Sequence, residues 1–196
     1  MIERPILFSG PMVRAILEGR KTQTRRVVKP QPKDREGGIS PICYEGDRWE
    51  FLDLEAAGQS VRNLYGKPRD RLWVKETFAT LECHHGQTVY RADGEQNLTD
   101  MKWKPSIFMR RKQSRLTLEI TKIRVERLQD ISYRDCEAEG LMHVHRGWWV
   151  NPYAEDPQAT GATEGYLCYR NLWESINGKG SWKSNPWVWV IEFKRL

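Results

Sequence analysis

Ile16-Leu17-Glu18-Gly19-Arg20-Lys21-Thr22-Gln23-Thr24-Arg25-Arg26 changes the chain from one periodicity to another. Upstream, Met12, Val13, Ile16 and Leu17 recur at helical spacing behind Ser9-Gly10-Pro11, a small capping pair with proline at the first helical position. Gly19 ends that helix in the usual way. From Thr22 to Val28 the residues read as a strand, with Thr22, Thr24, Arg26 and Val28 on one face and Gln23 and Arg25 on the other. Pro5–Ser9, just before the helix, is a short apolar run suited to a buried strand. The N-terminal segment is therefore expected to run strand, short helix, strand.

Working outward, Arg115–Leu128 alternates through Leu116, Leu118, Ile120, Ile123 and Val125 and predicts the clearest strand. Arg71–Leu81 and Gln87–Arg91 read as strands that pair. Ser132 with Asp135 three residues on has the form of a capping box, opening a short helix that stops at Gly140. Thr163 is expected to cap a later helix carrying Leu167, Leu172, Trp173 and Ile176, stopped by Asn177-Gly178. Trp187-Val188-Trp189-Val190-Ile191-Glu192-Phe193 is a nearly continuous apolar strand. Residues 29–70, rich in Pro and Gly around Trp49-Glu50-Phe51-Leu52, read as a long connection. Residues 92–114 are polar and basic, and 142–160 polar and aromatic. The expectation is an α+β fold, mainly β: a small β-barrel with short flanking helices and inserted loops. No internal repeat, GxGxxG or P-loop pattern is present, so a dinucleotide or NTP fold has no support.

At 196 residues, one domain with insertions is expected, and a chain this long buries a sizeable core unaided. No apolar stretch approaches a membrane span, and the N-terminus lacks the pattern of a secretory signal, so a soluble, cytoplasmic protein without membrane contact is expected. Cys43, Cys83, Cys136 and Cys168 show no CxxC spacing and are read as reduced thiols. Cys83, His84, His85, His143 and His145 lack the spacing of a zinc module, so neither a metal nor a cofactor is expected.

The net charge of +6 is unevenly spread. Residues 1–35 hold nine Lys/Arg against three Asp/Glu, and residues 101–127 hold nine against two, so the remainder is net acidic. That split suggests a positive face or cleft for anionic partners, against the plain alternative of a solvated basic surface.

Chemistry concentrates in Gly19–Arg26. An amine (Lys21), a hydroxyl (Thr24) and a guanidinium (Arg26) lie along one wall. A lysine in a partly desolvated pocket can lose its proton and serve a hydroxyl nucleophile, and an arginine beside it can hold an oxyanion, a phosphate or a base edge. Nine Trp residues are the other notable feature. Trp73, Trp187 and Trp189, on strands, suit packing. Trp49, Trp103, Trp148 and Trp149, in the insertions, are open to base stacking.

GxKxxTxR beginning at Gly19 resembles the central motif of the ASCH family, a branch of the PUA-like β-barrels. Most members carry Glu where this chain has Thr24; Thr there resembles the small bacterial N4-acetylcytidine amidohydrolases, which read ILxGRKTxTxR. Thr117–Leu141, Arg69–Val74 and the closing Val190–Lys194 are similar to further family segments. The resemblance covers about half of the chain. The compact amidohydrolases lack the insertions near 29–68, 82–114 and 142–165, and longer relatives with this layout are often carried by phages or prophages.

The resemblance implies a catalytic group of Lys21, Thr24 and a glutamate on the helix after the long central strand. Glu137 and Glu139 compete for that place; two residues apart on a helix they point about 200° apart. Alignment to the family helix selects Glu139, with Glu137 as fallback. Arg25, Arg26 and Trp73 are the expected substrate-binding residues. The implied reaction removes an acetyl group from N4-acetylcytidine or a related modified nucleoside. The rival class is an RNA-binding PUA-like module, with or without ribonuclease activity, in which Lys21, Arg25 and Arg26 touch phosphates. A modified nucleoside or RNA is the expected partner, and nothing in the sequence names a protein partner.

Overall fold

The computed structural model describes residues 1–33, 40–45, 48–52, 58–81, 87–94, 102–144, 148–154, 162 and 164–196. It is a mixed α+β structure built mainly of strands. In chain order these are β1 (Glu3–Leu7), α1 (Gly10–Leu17), β2 (Gln23–Val27), β3 (Ser40–Glu45), β4 (Arg48–Leu52), β5 (Gly58–Arg62), β6 (Arg71–Lys75), β7 (Phe78–Leu81), β8 (Gln87–Tyr90), β9 (Thr117–Arg127), α2 (Tyr133–Ala138), β10 (Met142–Val144), β11 (Trp148–Val150), α3 (Gly165–Asn177) and β12 (Trp187–Arg195). Among the described residues, no helix is long and apolar enough to cross a membrane.

The principal sheet has five strands in the order β1-β6-β9-β12-β2, with β1 and β6 parallel and the other pairs antiparallel. Its organising strand is β12, which is buried on both faces. Trp187, Trp189, Ile191 and Phe193 enter one core with Ile6, Phe8, Leu72, Val74, Leu118 and Ile120. Val188 and Val190 enter a second core with Leu128, Cys136 and the α3 residues Cys168, Tyr169, Leu172 and Trp173. A strand with water on neither face needs no polar alternation, which is why its sequence is a continuous apolar run.

β2 is the outer neighbour of β12, with Thr24 opposite Ile191, Arg25 opposite Val190 and Arg26 opposite Trp189. Opposed residues point to the same side of a sheet. Thr24 and Arg26 therefore share the side of the first core, where Val28 is buried, and Arg25 and Val27 share the side of the second. The two faces read from the sequence are those of the structure.

Two expectations about loops change. Residues 40–62 are not a bare connection: β3, β4 and β5 form an antiparallel meander. Its Phe51 and Val61 are buried in the first core, Phe51 lies edge-on to Trp187 at 5.2 Å, and Trp49 lies edge-on to Trp189 at 5.8 Å. The apolar island read at Trp49–Leu52 is a docking strand. The paired segments near 71–91 also resolve differently. β7 pairs with β8, whereas Arg71–Lys75 sits between β1 and β9.

The helices follow their local signals. α1 starts after Ser9 and buries Val13, Ala15 and Ile16, with Gly19 beyond it at a φ of 77°. Ser132 and Asp135 cap α2 reciprocally. α3 begins at Gly165 behind Glu164, and Thr163, expected as its cap, lies outside the described residues. α3 carries Leu167, Leu172, Trp173 and Ile176 as expected, but Ile176 is exposed and the buried face is formed by Cys168, Tyr169, Leu172 and Trp173.

Candidate active site

Lys21 leaves α1 through the Gly19 turn and enters the interior just before β2. Its side chain is 0% exposed and its Nζ donates to Glu139 Oε2 at 2.7 Å and to the Glu139 backbone carbonyl at 2.9 Å. The rings of Phe8 and Tyr153 flank the ammonium, each centroid 6.0 Å away. Burial pulls the Lys21 ammonium below its ordinary value, and the Glu139 carboxylate opposes that pull.

Glu139 occupies the C-cap of α2, and its side chain is 4% exposed. Its second oxygen, Oε1, accepts from Arg25 Nη1 at 3.3 Å. Tyr153 donates its hydroxyl to the Glu139 carbonyl at 2.7 Å. Gly140 follows at a φ of 94°, where a Cβ would meet Tyr153 Oη at 1.8 Å. The glycine that stops α2 thus also admits the tyrosine that holds its last carbonyl. Glu137, two residues earlier, is exposed.

Arg25, with 0% of its side chain exposed, ties this pair to the sheet. Its Nη2 donates to Glu126 Oε1 of β9 at 2.5 Å and lies 3.2 Å from Asp135 Oδ2 of α2. Arg124 completes the cluster, bonding Glu126 at 2.9 Å, Asp135 at 2.6 Å and Glu192 at 2.5 Å. Burial opposes the charge of Arg25, but Glu139, Tyr169, Glu126 and Asp135 outweigh it and hold the guanidinium charged. Burial would likewise raise Asp135, yet hydrogen bonds from Ser132 and the charges of Arg25 and Arg124 hold it well below the ordinary carboxylate range. A buried guanidinium shared among three carboxylates is a rigid support, since each charge lost would strand the others.

These groups stand behind a cavity of about 420 Å³, within the size range of small-molecule sites. Thr24, Arg25, Arg26 and Glu139 form its polar wall. Phe8, Met12, Leu172 and Trp173 supply apolar surface, with Ser106 and Thr77 at other points of the lining. Thr24 is buried, and among the described residues its hydroxyl has no hydrogen-bond partner. Arg26 donates to the Leu7 carbonyl at 2.6 Å, and its guanidinium lies over Phe8.

The backbone of β2 adds donors. Val28 N–H bonds the Trp187 carbonyl and Phe193 N–H bonds the Thr22 carbonyl, so the even-numbered residues of β2 bond to β12. The N–H and C=O groups of Arg25 and Val27 therefore face the open edge of the sheet, where both residues line the cavity.

The structure brings together Lys21, Thr24, Arg25, Arg26 and Glu139. It does not bring Trp73 to them: that ring lies on β6 under the Lys75 ammonium, 5.5 Å from its centroid, and is absent from the cavity lining. Pairing β6 between β1 and β9 sets Trp73 three strands from β2. Lys21 itself lies behind the wall and reaches the cavity through Glu139. Of the cysteine and histidine cluster, Cys83, His84, His85 and His145 lie outside the described residues, and His143 packs against Trp149 at 5.0 Å.

Sequence reasoning missed Phe8, Tyr153, Tyr169 and Trp173. Tyr169 and Trp173 were legible as i, i+4 members of the α3 stripe; Tyr153 sits in an aromatic insertion with no local signal for its partner. No family model, curated protein or solved structure matches this chain.

Proposed function

We propose that this protein is an ASCH-type amidohydrolase on a PUA-like barrel, which removes an acetyl group from the exocyclic amine of N4-acetylcytidine or a related modified nucleoside. The observation that carries this reading is the buried Lys21–Glu139 pair, whose Glu139 lines the same cavity as Thr24. The GRKTQTRR resemblance implies Lys21 and Thr24, and the likeness of the helix after the long strand implies Glu139 with Glu137 as fallback; the burial of Glu139 against Lys21 and the exposure of Glu137 support the first choice.

In the proposed reaction a hydroxyl, from Thr24 or a water beside it, attacks the acetyl carbonyl carbon. Its proton enters the Lys21–Glu139 pair, whose members share a 2.7 Å hydrogen bond. Burial lowers the Lys21 ammonium from its ordinary value while Glu139 opposes that pull, so the pair can take up and return a proton during turnover. The outward N–H groups of Arg25 and Val27 are the donors for the oxyanion. Glu139 then passes the proton to the exocyclic nitrogen as the C–N bond breaks, leaving acetate and the free amine. If Thr24 is the attacking group, a water releases the acetyl ester in a second addition. The apolar wall of Phe8, Leu172 and Trp173 suits the flat face of a base.

The same geometry weighs against the rival in which Lys21, Arg25 and Arg26 touch phosphates of a bound strand. The side chains of Lys21 and Arg25 are inaccessible and their charges are matched by carboxylates. The test is deacetylation of N4-acetylcytidine followed chromatographically, with Lys21→Ala and Thr24→Ala alongside. Turnover by the wild type that both variants lose supports the reading; no turnover by the folded wild type overturns it.

A further inference from the structure

The cavity continues into a second groove of about 270 Å³, with which it shares Arg26, Val27 and Asn177. This groove is lined in addition by Lys29, Arg62, Leu64, Tyr65 and Trp189. Among the described residues, its lining holds the three cations Arg26, Lys29 and Arg62 and no carboxylate. Most other buried or half-buried cations of the site are matched: Lys21 by Glu139, Arg25 by three acids and Arg124 by three. Arg26 and Lys29 differ, since among the described residues neither has a carboxylate partner. Arg26 is half-buried at the junction of the two spaces, and its Nε is buried without a hydrogen-bond acceptor. Withdrawing a guanidinium from water without a counter-ion is costly unless an anion arrives to complete it.

The groove owes its shape to a part of the chain outside the resemblance. Arg62 ends β5 of the docked meander, and Tyr65 follows it, half-buried against the first core. Arg26 and Tyr65 both line this groove; burial raises the Tyr65 hydroxyl from its ordinary value and the Arg26 charge opposes it.

Resting on the amidohydrolase reading for the base in the first cavity, we propose that the second groove binds a phosphate attached to the same nucleoside, held by Lys29, Arg62 and Arg26. The substrate is then a nucleotide or the nucleotide unit of an oligonucleotide rather than a free nucleoside. The meander contributes Arg62 to this selection, beside Arg26 of β2 and Lys29 just after it.

Calorimetric titration tests this without requiring turnover. Cytidine, cytidine 5′-monophosphate, cytidine 3′-monophosphate and a short oligocytidine are titrated into the wild type and into Lys29→Ala/Arg62→Ala, with Lys29→Gln as a milder variant if the double variant melts early. A phosphate-bearing ligand is expected to bind the wild type about tenfold more tightly than cytidine. The variants should lose most of that advantage while binding cytidine unchanged. A preference confined to the oligonucleotide identifies a polymer as the source of the phosphate, and one shared by a mononucleotide identifies the free nucleotide. Equal affinity for all four ligands, or an advantage that survives in the variants, overturns the proposal. A phosphate advantage in a protein that fails to deacetylate would leave this groove standing and remove the proposed reaction alone.

Discussion

Lys21 Nζ holds Glu139 by two different atoms, the carboxylate Oε2 at 2.7 Å and the backbone carbonyl at 2.9 Å, across 118 residues of chain. One ammonium thus both neutralises a buried acid and closes the C-terminal end of the helix that carries it. The two roles separate by mutation. Lys21→Met keeps most of the stem volume but leaves Glu139 to Arg25 alone, and it should lower unfolding free energy in urea by about 3 kcal/mol. Lys21→Met/Glu139→Gln should recover part of that loss, because no charge is then stranded. Additive losses in the double variant would show that the two side chains do not depend on each other.

Thr24 has a different balance. It lines the cavity from β2, and its hydroxyl makes no hydrogen bond among the described residues. Thr24→Ala should therefore change stability by less than about 1 kcal/mol while lowering deacetylation at least roughly 100-fold. Thr24→Ser should retain measurable activity if the hydroxyl attacks. Equal rates in the alanine and serine variants would assign the attack to water instead.

Gly140→Ala probes the end of α2. The position has a φ of 94°, and the added methyl would meet the Tyr153 hydroxyl at 1.8 Å. Strain and displacement of Tyr153 should cost upwards of about 2 kcal/mol, read as a fall in melting temperature. Tyr153→Phe, which removes only the bond to the Glu139 carbonyl, should cost about 1 kcal/mol. A melting temperature for Gly140→Ala as high as that of the wild type would contradict the close approach.

Acid stability should report Asp135. Its folded value lies well below the ordinary 3.8, so the folded state keeps this group ionised where the unfolded chain takes up a proton. The stabilisation is complete above that pH and drains away as pH falls from about 3.8 toward the folded value. Asp135→Asn should be less stable than the wild type at neutral pH, and the gap should narrow on acidification below pH 3.8. A gap that stays constant through that range would remove the group from the acid response.

The docked meander gives a stability test remote from the cavity. Phe51 is wholly buried against Trp187, so Phe51→Ala should cost about 3–5 kcal/mol. A loss below about 1 kcal/mol would mean that the meander contributes little to the first core.

Local physics made much of this chain readable. The Gly19 turn, the reciprocal Ser132–Asp135 cap, the alternation of β9 and the continuous apolar run of β12 are each written in neighbouring residues, because caps and periodicity act over a few positions. The alternation of Thr24 and Arg25 between two faces belongs to that class, and so does the exclusion of Glu137 once Glu139 faces inward. The partners of those residues do not. Arg25 among Glu126, Asp135 and Glu139, Tyr153 on the Glu139 carbonyl, and Arg26 beside Tyr65 join segments far apart in sequence. Such contacts exist only after the strands take their order, since pairing sets which edge β2 leaves open and which faces α2, α3 and the meander cover. Trp73 shows the same limit from the other side: it was expected at the substrate, and the placement of β6 between β1 and β9 sets it away from the cavity. The types and periods of α1, α2, β2, β9 and β12 were thus determined by the sequence locally, whereas the meander strands, the charge partners, the cavity walls and the basic groove were decided by tertiary pairing, because docking, desolvation and ion pairing depend on distance in space rather than along the chain.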